Sequence, residues 1–314
     1  MNRSRQQDDG RVIGRFAPSP TGPLHLGSLV AALGSYLFAR SVGGLWLMRM
    51  EDLDAPRVIP GMAYDILRTL EELGFTWDGE VVRQSKRTDA YEAALAELAR
   101  KGMVYSCACS RAEIARIGSA PHGRDDELRY PGICREGLPS GKAARSIRVR
   151  VTDEPVAFMD GIMGEVTENL SESCGDFVVK RADGPFAYQL AVVVDDAEAG
   201  VNQVVRGADL LLSTPRQIHL QRLLGYATPA YFHLPLVTAP KGAKLSKRES
   251  AVSIACGRDL QKDGGALLVA ALRFLGQNPP ASLGNAPCSE ILAWGSAHFD
   301  PLAIPRQPAP FPGH

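Results

Sequence analysis

The sequence predicts an α/β fold with a parallel sheet, and three observations indicate it. Residues 11–51 place a segment with apolar residues at helical spacing between two short apolar runs, which is the pattern of strand, helix and strand. Apolar runs and helical patterns alternate again after residue 185, as in the second half of such a sheet. The chain has 314 residues, of which 45% are hydrophobic, and it can therefore bury one large core.

Composition and charge exclude several classes of protein. Lysine plus arginine and aspartate plus glutamate each number 35, so the net charge is zero and any contact with RNA must be local. The run of about 18 apolar residues that a transmembrane helix needs does not occur, and residues 1–10 lack the apolar segment of a signal peptide. The six cysteines do not follow the pattern of a secreted disulfide framework. We therefore expect a cytoplasmic protein without membrane contact.

The first strand–helix–strand unit contains the first candidate for a ligand site. Strands are expected over residues 12–16 and 45–48, and a helix over residues 27–40. Ligands bind where a parallel strand ends and a helix begins, because backbone N–H groups converge there. The loop at this point carries His25, followed by Gly27. His25 can donate a hydrogen bond to phosphate oxygens, although a single histidine near a helix start is more often structural.

A second candidate is the basic loop Lys244–Arg248, with three cations in five residues. Such a loop suits a polyphosphate, although alone it would be an ordinary solvated charge run. Together, His25-Leu26-Gly27-Ser28 and this loop resemble the "HIGH" and "KMSKS" motifs of class I aminoacyl-tRNA synthetases. The longer string FAPSPTGPLHLGS, with Arg49–Asp54 after the second strand, is similar to the glutamyl branch. Ser28 departs from the motif, whose last position is histidine, as is common in glutamyl enzymes.

The resemblance implies a Rossmann-like parallel sheet that activates L-glutamate with ATP, and Mg²⁺ is expected with ATP. It implies as catalytic groups His25, Lys247 and Lys244, of which Lys244 is the second choice for the phosphates. The implied ATP-binding residues are His25, Gly27, Ser28, Lys244, Ser246 and Lys247. The implied glutamate-binding residues are Arg15, Phe16, Ala17, Pro18, Ser19, Glu51, Tyr188 and Arg206. Two arginines and one glutamate balance the two carboxylates and the ammonium of glutamate, and which arginine binds which carboxylate stays open.

The later elements follow from the same patterns. Helices are expected over residues 61–73, 88–101, 213–224 and 259–275. Strands are expected over residues 77–83, 146–151, 186–194, 201–205 and 232–237, and the tail from Pro279 is rich in proline and glycine. Arg206 directly follows a strand at the ligand edge of the sheet, and Tyr188 lies in the strand 186–194.

The chain divides into five expected segments. These are a disordered N-terminus (1–10), the first half of a catalytic domain (11–103), a zinc-containing insertion that binds the acceptor (104–180), the second half of the catalytic domain (181–240), and the basic loop with a short helical C-terminal segment (241–314).

The insertion contains a candidate metal site. Cys107, Cys109 and Cys134 can take three corners of a tetrahedral zinc site, and a reducing cytosol would keep the thiols reduced. His122 is the usual chemical choice for the fourth ligand, whereas Tyr130 would have to lose its phenolic proton. The glutamyl resemblance implies Tyr130, so the expected ligands of one structural Zn²⁺ are Cys107, Cys109, Tyr130 and Cys134. Three unlinked buried thiols are the alternative.

The segment after the basic loop, residues 249–314, is short. Full glutamyl-tRNA synthetases continue there with large domains that read the anticodon, and we expect no such domain here. Over roughly residues 11–275 the chain resembles short paralogues of these enzymes that transfer glutamate to the cyclopentenediol of queuosine in tRNA(Asp). This resemblance implies L-glutamate, ATP and queuosine-containing tRNA(Asp) as partners, and we expect a monomer.

Three alternatives remain at this point. The chain can be a catalytic core that charges tRNA(Glu), an adenylating ligase with an acceptor other than RNA, or an inactive paralogue that binds glutamate or RNA.

Overall fold

The computed structural model describes residues 10–117, 129–238, 253–257 and 259–312. Its strands are β1 (Ile13–Phe16), β2 (Leu45–Met50), β3 (Val82–Arg83), β4 (Val104–Cys107), β5 (Ser146–Val149), β6 (Val156–Asp160), β7 (Gly164–Glu168), β8 (Val178–Lys180), β9 (Gln203–Gly207), β10 (Ala230–Leu234), β11 (Val237–Thr238) and β12 (Ala309–Pro310). Its α-helices are α1 (Leu26–Arg40), α2 (Met62–Glu72), α3 (Thr88–Arg100), α4 (Arg111–Ile117), α5 (Leu170–Ser173), α6 (Tyr188–Glu198), α7 (Thr214–Leu224), α8 (Leu260–Phe274) and α9 (Cys288–Ala297). In these ranges, no helix combines the length and apolar composition that crossing a membrane requires.

The central sheet is parallel, which agrees with the predicted fold class. β1 pairs with β2 and β2 with β3, while β9 pairs with β10 and β10 with β6, all in parallel. Asn202, directly before β9, donates its backbone N–H to the carbonyl of Ile13 at 3.1 Å, so β9 lies beside β1 and the two groups of strands adjoin. β7 runs antiparallel to β6 at one edge. A separate antiparallel sheet consists of β4, β5 and β8.

Helix α1 connects β1 to β2 and lies in the centre of the larger core cluster. Leu29, Leu33 and Leu37 recur at helical spacing and are fully buried. Gly34 lets the helix approach β10, because a Cβ atom at this position would lie 2.5 Å from a methyl carbon of Leu234. The loop after β1 leads directly into α1, so the helix N-terminus lies at the carboxyl edge of the sheet.

The prediction of a strand over residues 186–194 is wrong, because helix α6 begins at Tyr188 and continues to Glu198. Every residue from Leu190 to Asp196 is buried, so the segment is apolar around most of the helix and shows no clear helical periodicity. A short apolar run is compatible with a buried strand or a buried helix, and the three valines favoured the wrong one. In the predicted strand 77–83, two residues form β3.

The other predicted elements are confirmed to within a few residues. The proline- and glycine-rich tail holds more structure than its composition indicated. α9 packs on α8 and α1, where a Cβ atom at Gly295 would lie 3.0 Å from Leu37. β12 pairs in parallel with β11, and this pairing attaches the tail beside Val237, which lines a cavity of about 720 Å³.

Candidate functional site

A cavity of about 720 Å³ lies at the carboxyl edge of the sheet, where β1, β9 and β10 end. This edge is where parallel sheets bind ligands. The predicted site residues that line it are Arg15, Phe16, Ala17, Pro18, Ser19, His25, Gly27, Ser28, Glu51, Tyr188 and Arg206. The fold therefore brings together residues that are far apart in the sequence, while their roles stay predictions. Lys244, Ser246 and Lys247 lie outside the described residues.

His25 caps the N-terminus of α1. Its Nδ1 accepts the backbone N–H of Ser28 at 3.3 Å. Burial lowers the pKa of His25, although the nearby Asp209 raises it. A neutral imidazole that accepts through Nδ1 carries its proton on Nε2, which is then a hydrogen-bond donor. Gly27 leaves room for the ring, because a Cβ atom there would lie 3.1 Å from His25 Cε1.

Arg15 on β1 and Arg49 on β2 are bound to the same buried carboxylate. Asp196 accepts Arg15 Nε at 3.2 Å and Arg49 Nη1 at 2.6 Å. Burial raises the pKa of Asp196, but the two guanidinium groups outweigh that effect and hold the pKa below its usual range. Arg15, which lines the cavity, and Arg49 are therefore both fixed by a carboxylate that stays ionised.

Glu51 is an acidic residue that lines the cavity beside Arg15. Arg49 Nη2 donates to Glu51 Oε1 at 3.3 Å. Removal from bulk water raises the pKa of Glu51, and attraction to Arg49 and Arg15 opposes this shift only partly. A cationic group of a ligand would favour the charged carboxylate, so Glu51 is suited to an ammonium.

Arg206, near the end of β9, also lines the cavity. All three of its nitrogens donate to side chains: Nε to His233 Nε2 at 3.1 Å, Nη2 to Thr214 Oγ1 at 2.8 Å and Nη1 to the Tyr188 hydroxyl at 3.4 Å. The cavity therefore combines two arginines with Glu51, and Asp209 also lines it near His25. Arg15, Arg206 and Glu51 together suit a ligand with two carboxylates and one ammonium.

Sequence reasoning missed several charged groups around the cavity. No role was predicted for three aspartates, Asp160, Asp196 and Asp209, or for His233. Two signals could have found some of them. Arg49 interrupts the apolar strand β2, and Asp196 ends the apolar run before β9; a charge inside an apolar segment implies a buried partner. Asp160 and His233 give no such signal, because their pairing depends on the contact of β6 with β10.

A second cluster lies in the small antiparallel sheet. The sulfur atoms of Cys107, Cys109 and Cys134 lie within 4.8 Å of one another, and Cys109 Sγ and Cys134 Sγ are 3.6 Å apart. Zn–S bonds of about 2.3 Å in a tetrahedron place sulfurs about 3.8 Å apart, so this donor set fits a metal ion. The cluster can therefore hold a metal. The cysteines come from the end of β4 and from the turn around Cys134.

Tyr130 occupies the fourth side of the cluster. Its hydroxyl lies 3.4 Å from Cys107 Sγ and 3.8 Å from Cys109 Sγ, and it accepts the backbone N–H of Cys134 at 2.9 Å. Arg148 donates from Nε to Cys107 Sγ at 3.3 Å, and its guanidinium lies 3.8 Å from the centre of the Tyr130 ring. The alternative ligand, His122, lies outside the described residues.

The electrostatics of the cluster favour a thiolate at Cys107. Burial raises the pKa of this thiol, but hydrogen bonds with Tyr130 and Arg148 outweigh burial and lower the pKa to about 7. A thiolate is the form that binds metal, so Cys107 suits a metal ligand, whereas burial raises the pKa of Cys109 to about 11 and also raises the pKa of Tyr130.

Known proteins share both the sequence and the fold. Residues 11–283 match the family of tRNA synthetases class I (E and Q), catalytic domain. The Glutamyl-Q tRNA(Asp) synthetase of Geobacter sulfurreducens is 66% identical over 96% of this chain and 96% of its own length. The protein of the same name from Dechloromonas aromatica is 57% identical over 94% of this chain and 96% of its own length.

Solved structures agree. The glutamate-tRNA synthetase of Elizabethkingia anophelis superposes with a TM-score of 0.79 at 27% identity, covering 96% of this chain and 68% of that one. A glutamate tRNA ligase from Elizabethkingia meningosepticum, in complex with its amino acid, gives a TM-score of 0.79 at 28% identity, covering 96% of this chain and 67% of that one. The chain therefore belongs to the class I tRNA synthetases of the glutamyl and glutaminyl branch, and within it to the glutamyl-Q tRNA(Asp) synthetases.

Proposed function

We propose that this protein activates L-glutamate with ATP and transfers it to queuosine in tRNA(Asp). The observation that carries the activation step is the cavity that combines Arg15, Arg206 and Glu51. The acceptor is supported by relatives of 50% to 66% identity that bear the name Glutamyl-Q tRNA(Asp) synthetase and align over nearly their whole length. The cavity volume of about 720 Å³ is large enough for an amino acid and part of a nucleotide.

Glutamate recognition rests on charge and on fixed geometry. Arg15 and Arg206 bind the two carboxylates, and Glu51 binds the ammonium. The hydroxyl of Tyr188, 3.4 Å from Arg206 Nη1, gives the same ligand a further hydrogen bond. Because these side chains are already held by protein partners, binding costs little reorganisation. Phe16, Ala17, Pro18 and Ser19 line the same cavity.

The chemistry is in-line displacement at phosphorus. A carboxylate oxygen of glutamate attacks the α-phosphorus of ATP, the bond to the β-phosphate oxygen breaks, and pyrophosphate leaves. His25 donates from Nε2 to the phosphate oxygens, and the N-terminus of α1 adds its dipole. Lys247, with Lys244 as the second choice, neutralises the polyphosphate. Magnesium accompanies ATP and adds charge neutralisation there.

Transfer completes the reaction. A hydroxyl of the queuosine cyclopentenediol attacks the carbonyl carbon of the adenylate and forms an ester bond. The bond from that carbon to the phosphate oxygen breaks, and AMP leaves with the hydroxyl proton on its phosphate. The fixed arginines keep the acyl group oriented during this step, and no nucleophilic side chain of the protein is needed.

The Cys107–Cys134 cluster holds one structural Zn²⁺ in this proposal. Cys107, Cys109, Cys134 and Tyr130 would be its ligands, and bound zinc would supply folding energy to the small sheet. Arg148 offsets the negative charge that three thiolates and a phenolate bring together.

The activation step is tested by pyrophosphate exchange without tRNA. With ATP, Mg²⁺ and labelled pyrophosphate, the protein should incorporate label into ATP when L-glutamate is present and far less with L-glutamine or L-aspartate. Glutamine lacks one carboxylate, which leaves a buried arginine without its partner. Exchange that is equal with glutamine, or absent with glutamate, would contradict the proposal.

A further inference from the structure

Arg206 is held in one orientation by two buried acceptors, His233 and Thr214. Arg206 is 5% exposed, and His233 and Thr214 are fully buried. Nε of the arginine donates to His233 Nε2 at 3.1 Å, and Nη2 donates to Thr214 Oγ1 at 2.8 Å. A guanidinium has donors only, so each partner must accept.

The contact with Arg206 decides the tautomer of His233. Nε2 has to be unprotonated to accept from Arg206 Nε, so the ring proton lies on Nδ1. Nδ1 is 2.6 Å from Asp160 Oδ2, and it donates its proton there. Burial lowers the pKa of His233, although Asp160 raises it, and the neutral ring that Arg206 requires is thereby favoured.

The orientation of Asp160 is fixed in turn. Its Oδ1 accepts three backbone N–H groups, from Ile162 at 3.0 Å, Met163 at 2.8 Å and His233 at 3.2 Å. Oδ2 is therefore the oxygen that faces the imidazole. The hydrogen bonds of Asp160 lower its pKa even though burial raises it, so the carboxylate stays ionised.

We infer that Asp160 and His233 are positioning residues for glutamate: they fix the tautomer that presents an acceptor to Arg206 and thereby aim its guanidinium at a substrate carboxylate. The inference rests on the proposed function, because it assigns Arg206 to glutamate. The chain of contacts runs from the backbone of β6 and β10 to the cavity, so the two strands set the orientation of the arginine.

Asp160→Asn tests this with an almost isosteric change. The three backbone donors keep the amide oxygen at the Oδ1 position, so the amide N–H₂ faces His233 Nδ1 and donates to it. The ring proton then moves to Nε2, where it meets the N–H of Arg206, and two donors face each other. In glutamate-dependent pyrophosphate exchange, KM for glutamate should rise about 10- to 100-fold, while kcat and KM for ATP change little.

A second variant acts on the other acceptor. Thr214→Val removes the oxygen that accepts Arg206 Nη2 and that also lies 3.2 Å from His233 Nε2. It keeps the contact of His233 Nδ1 with Asp160 that sets the ring tautomer, so KM for glutamate should again rise with little change in kcat. The matched control is Asp176→Asn, which replaces a 2% exposed carboxylate in the small sheet. It should leave KM for glutamate unchanged even if it lowers Tm.

The possible results distinguish the proposed function from the positioning role of Asp160 and His233. Absence of glutamate-dependent exchange in the unaltered protein would overturn the proposed function itself. An active parent protein with unchanged KM for glutamate in both Asp160→Asn and Thr214→Val would overturn the positioning role alone. A fall in kcat with unchanged KM and a lower Tm would also overturn it, because a merely structural role predicts that result.

Discussion

Arg15 and Arg206 enter the cavity from two neighbouring strands, and each is bound to buried acceptors before any ligand arrives. Asp196 holds Arg15, and His233 with Thr214 holds Arg206. A buried guanidinium without such partners would be strongly unfavourable. The partners therefore stabilise the fold and leave the cations in place for an anionic substrate.

The basic loop supplies a prediction at the scale of one residue. Lys247→Ala should slow formation of the glutamyl adenylate by about 10²- to 10³-fold, because the cation stabilises charge that develops on the phosphates in the transition state. Glutamate affinity should change little. Single-turnover measurement of adenylate formation over a range of glutamate concentrations gives the rate of this step and the glutamate affinity separately.

The matched control is Lys262→Ala, which removes an exposed lysine that pairs with Asp259 at the start of α8. This variant should leave both the rate of adenylate formation and the glutamate affinity unchanged. An equal loss of glutamate affinity in Lys247→Ala would argue against the assigned role.

Individual residues of the site could be predicted where they lie in a recognisable motif. His25, Gly27 and Glu51 lie in a local string, and Arg206 follows a recognisable strand, so all were proposed from the sequence. The residues that hold them could not be predicted in the same way. Asp160 and His233 are 73 positions apart and meet only because β6 and β10 are neighbours.

At the scale of elements, burial explains what the sequence pattern missed. α6 is buried over most of its length between β8, α3 and α7, and it therefore lacks the polar face that marks most helices. α9 follows Pro287 in the proline- and glycine-rich tail, where no helix was predicted, and it is held by packing against α8 and α1 rather than by its own propensity. Elements with one polar face, such as α2 and α3, were predicted correctly.

The small sheet of β4, β5 and β8 supplies a prediction about metal. Purified protein should contain about one zinc per chain, measured by atomic emission, because three thiols and a phenol converge there. Cys109→Ala should lose the zinc and lower Tm, since the energy of metal binding contributes to folding.

Cys256→Ala is the matched control, because Cys256 is an exposed thiol outside the cluster, and it should retain the zinc. Zinc-free protein of unchanged stability would exclude the site. Retention of zinc in Tyr130→Phe together with its loss in His122→Ala would show that the fourth ligand is the histidine.

For the whole molecule, three histidines that the fold shields from water, one half-buried and two buried, predict how stability depends on pH. Burial lowers the pKa of His25, His219 and His233 below 6.5, the ordinary value. As the pH falls below 6.5, the histidines of the unfolded chain therefore take up protons before those of the folded chain. The stability present above pH 6.5 is lost as the pH falls through the lowered pKa values of the folded state. Urea unfolding between pH 7.5 and pH 5 should give a free energy of unfolding that decreases toward low pH.

His219→Gln should make that slope shallower, by at most about 1.4 kcal/mol per pH unit for the one proton removed. His219 is suited to this test because it contacts the carbonyl of Arg150, away from the cavity. A slope identical to that of the parent protein, or stability that rises as the pH falls, would contradict the assignment of the buried histidines.

The choice of acceptor distinguishes this enzyme from an ordinary glutamyl-tRNA synthetase core. The net charge is zero, so nonspecific attraction for RNA is weak and selection has to come from contacts with the acceptor. A pocket that hydrogen-bonds the two hydroxyls of a cyclopentenediol would reject unmodified guanine, because its own polar groups would be left unpaired.

The most direct measurement is transfer of labelled glutamate to tRNA(Asp) with and without queuosine. We predict label on tRNA(Asp) only when queuosine is present, in a bond that mild alkali cleaves as an ester. Charging of queuosine-free tRNA(Glu) at comparable efficiency would contradict this account and identify the chain as an ordinary glutamyl-tRNA synthetase core.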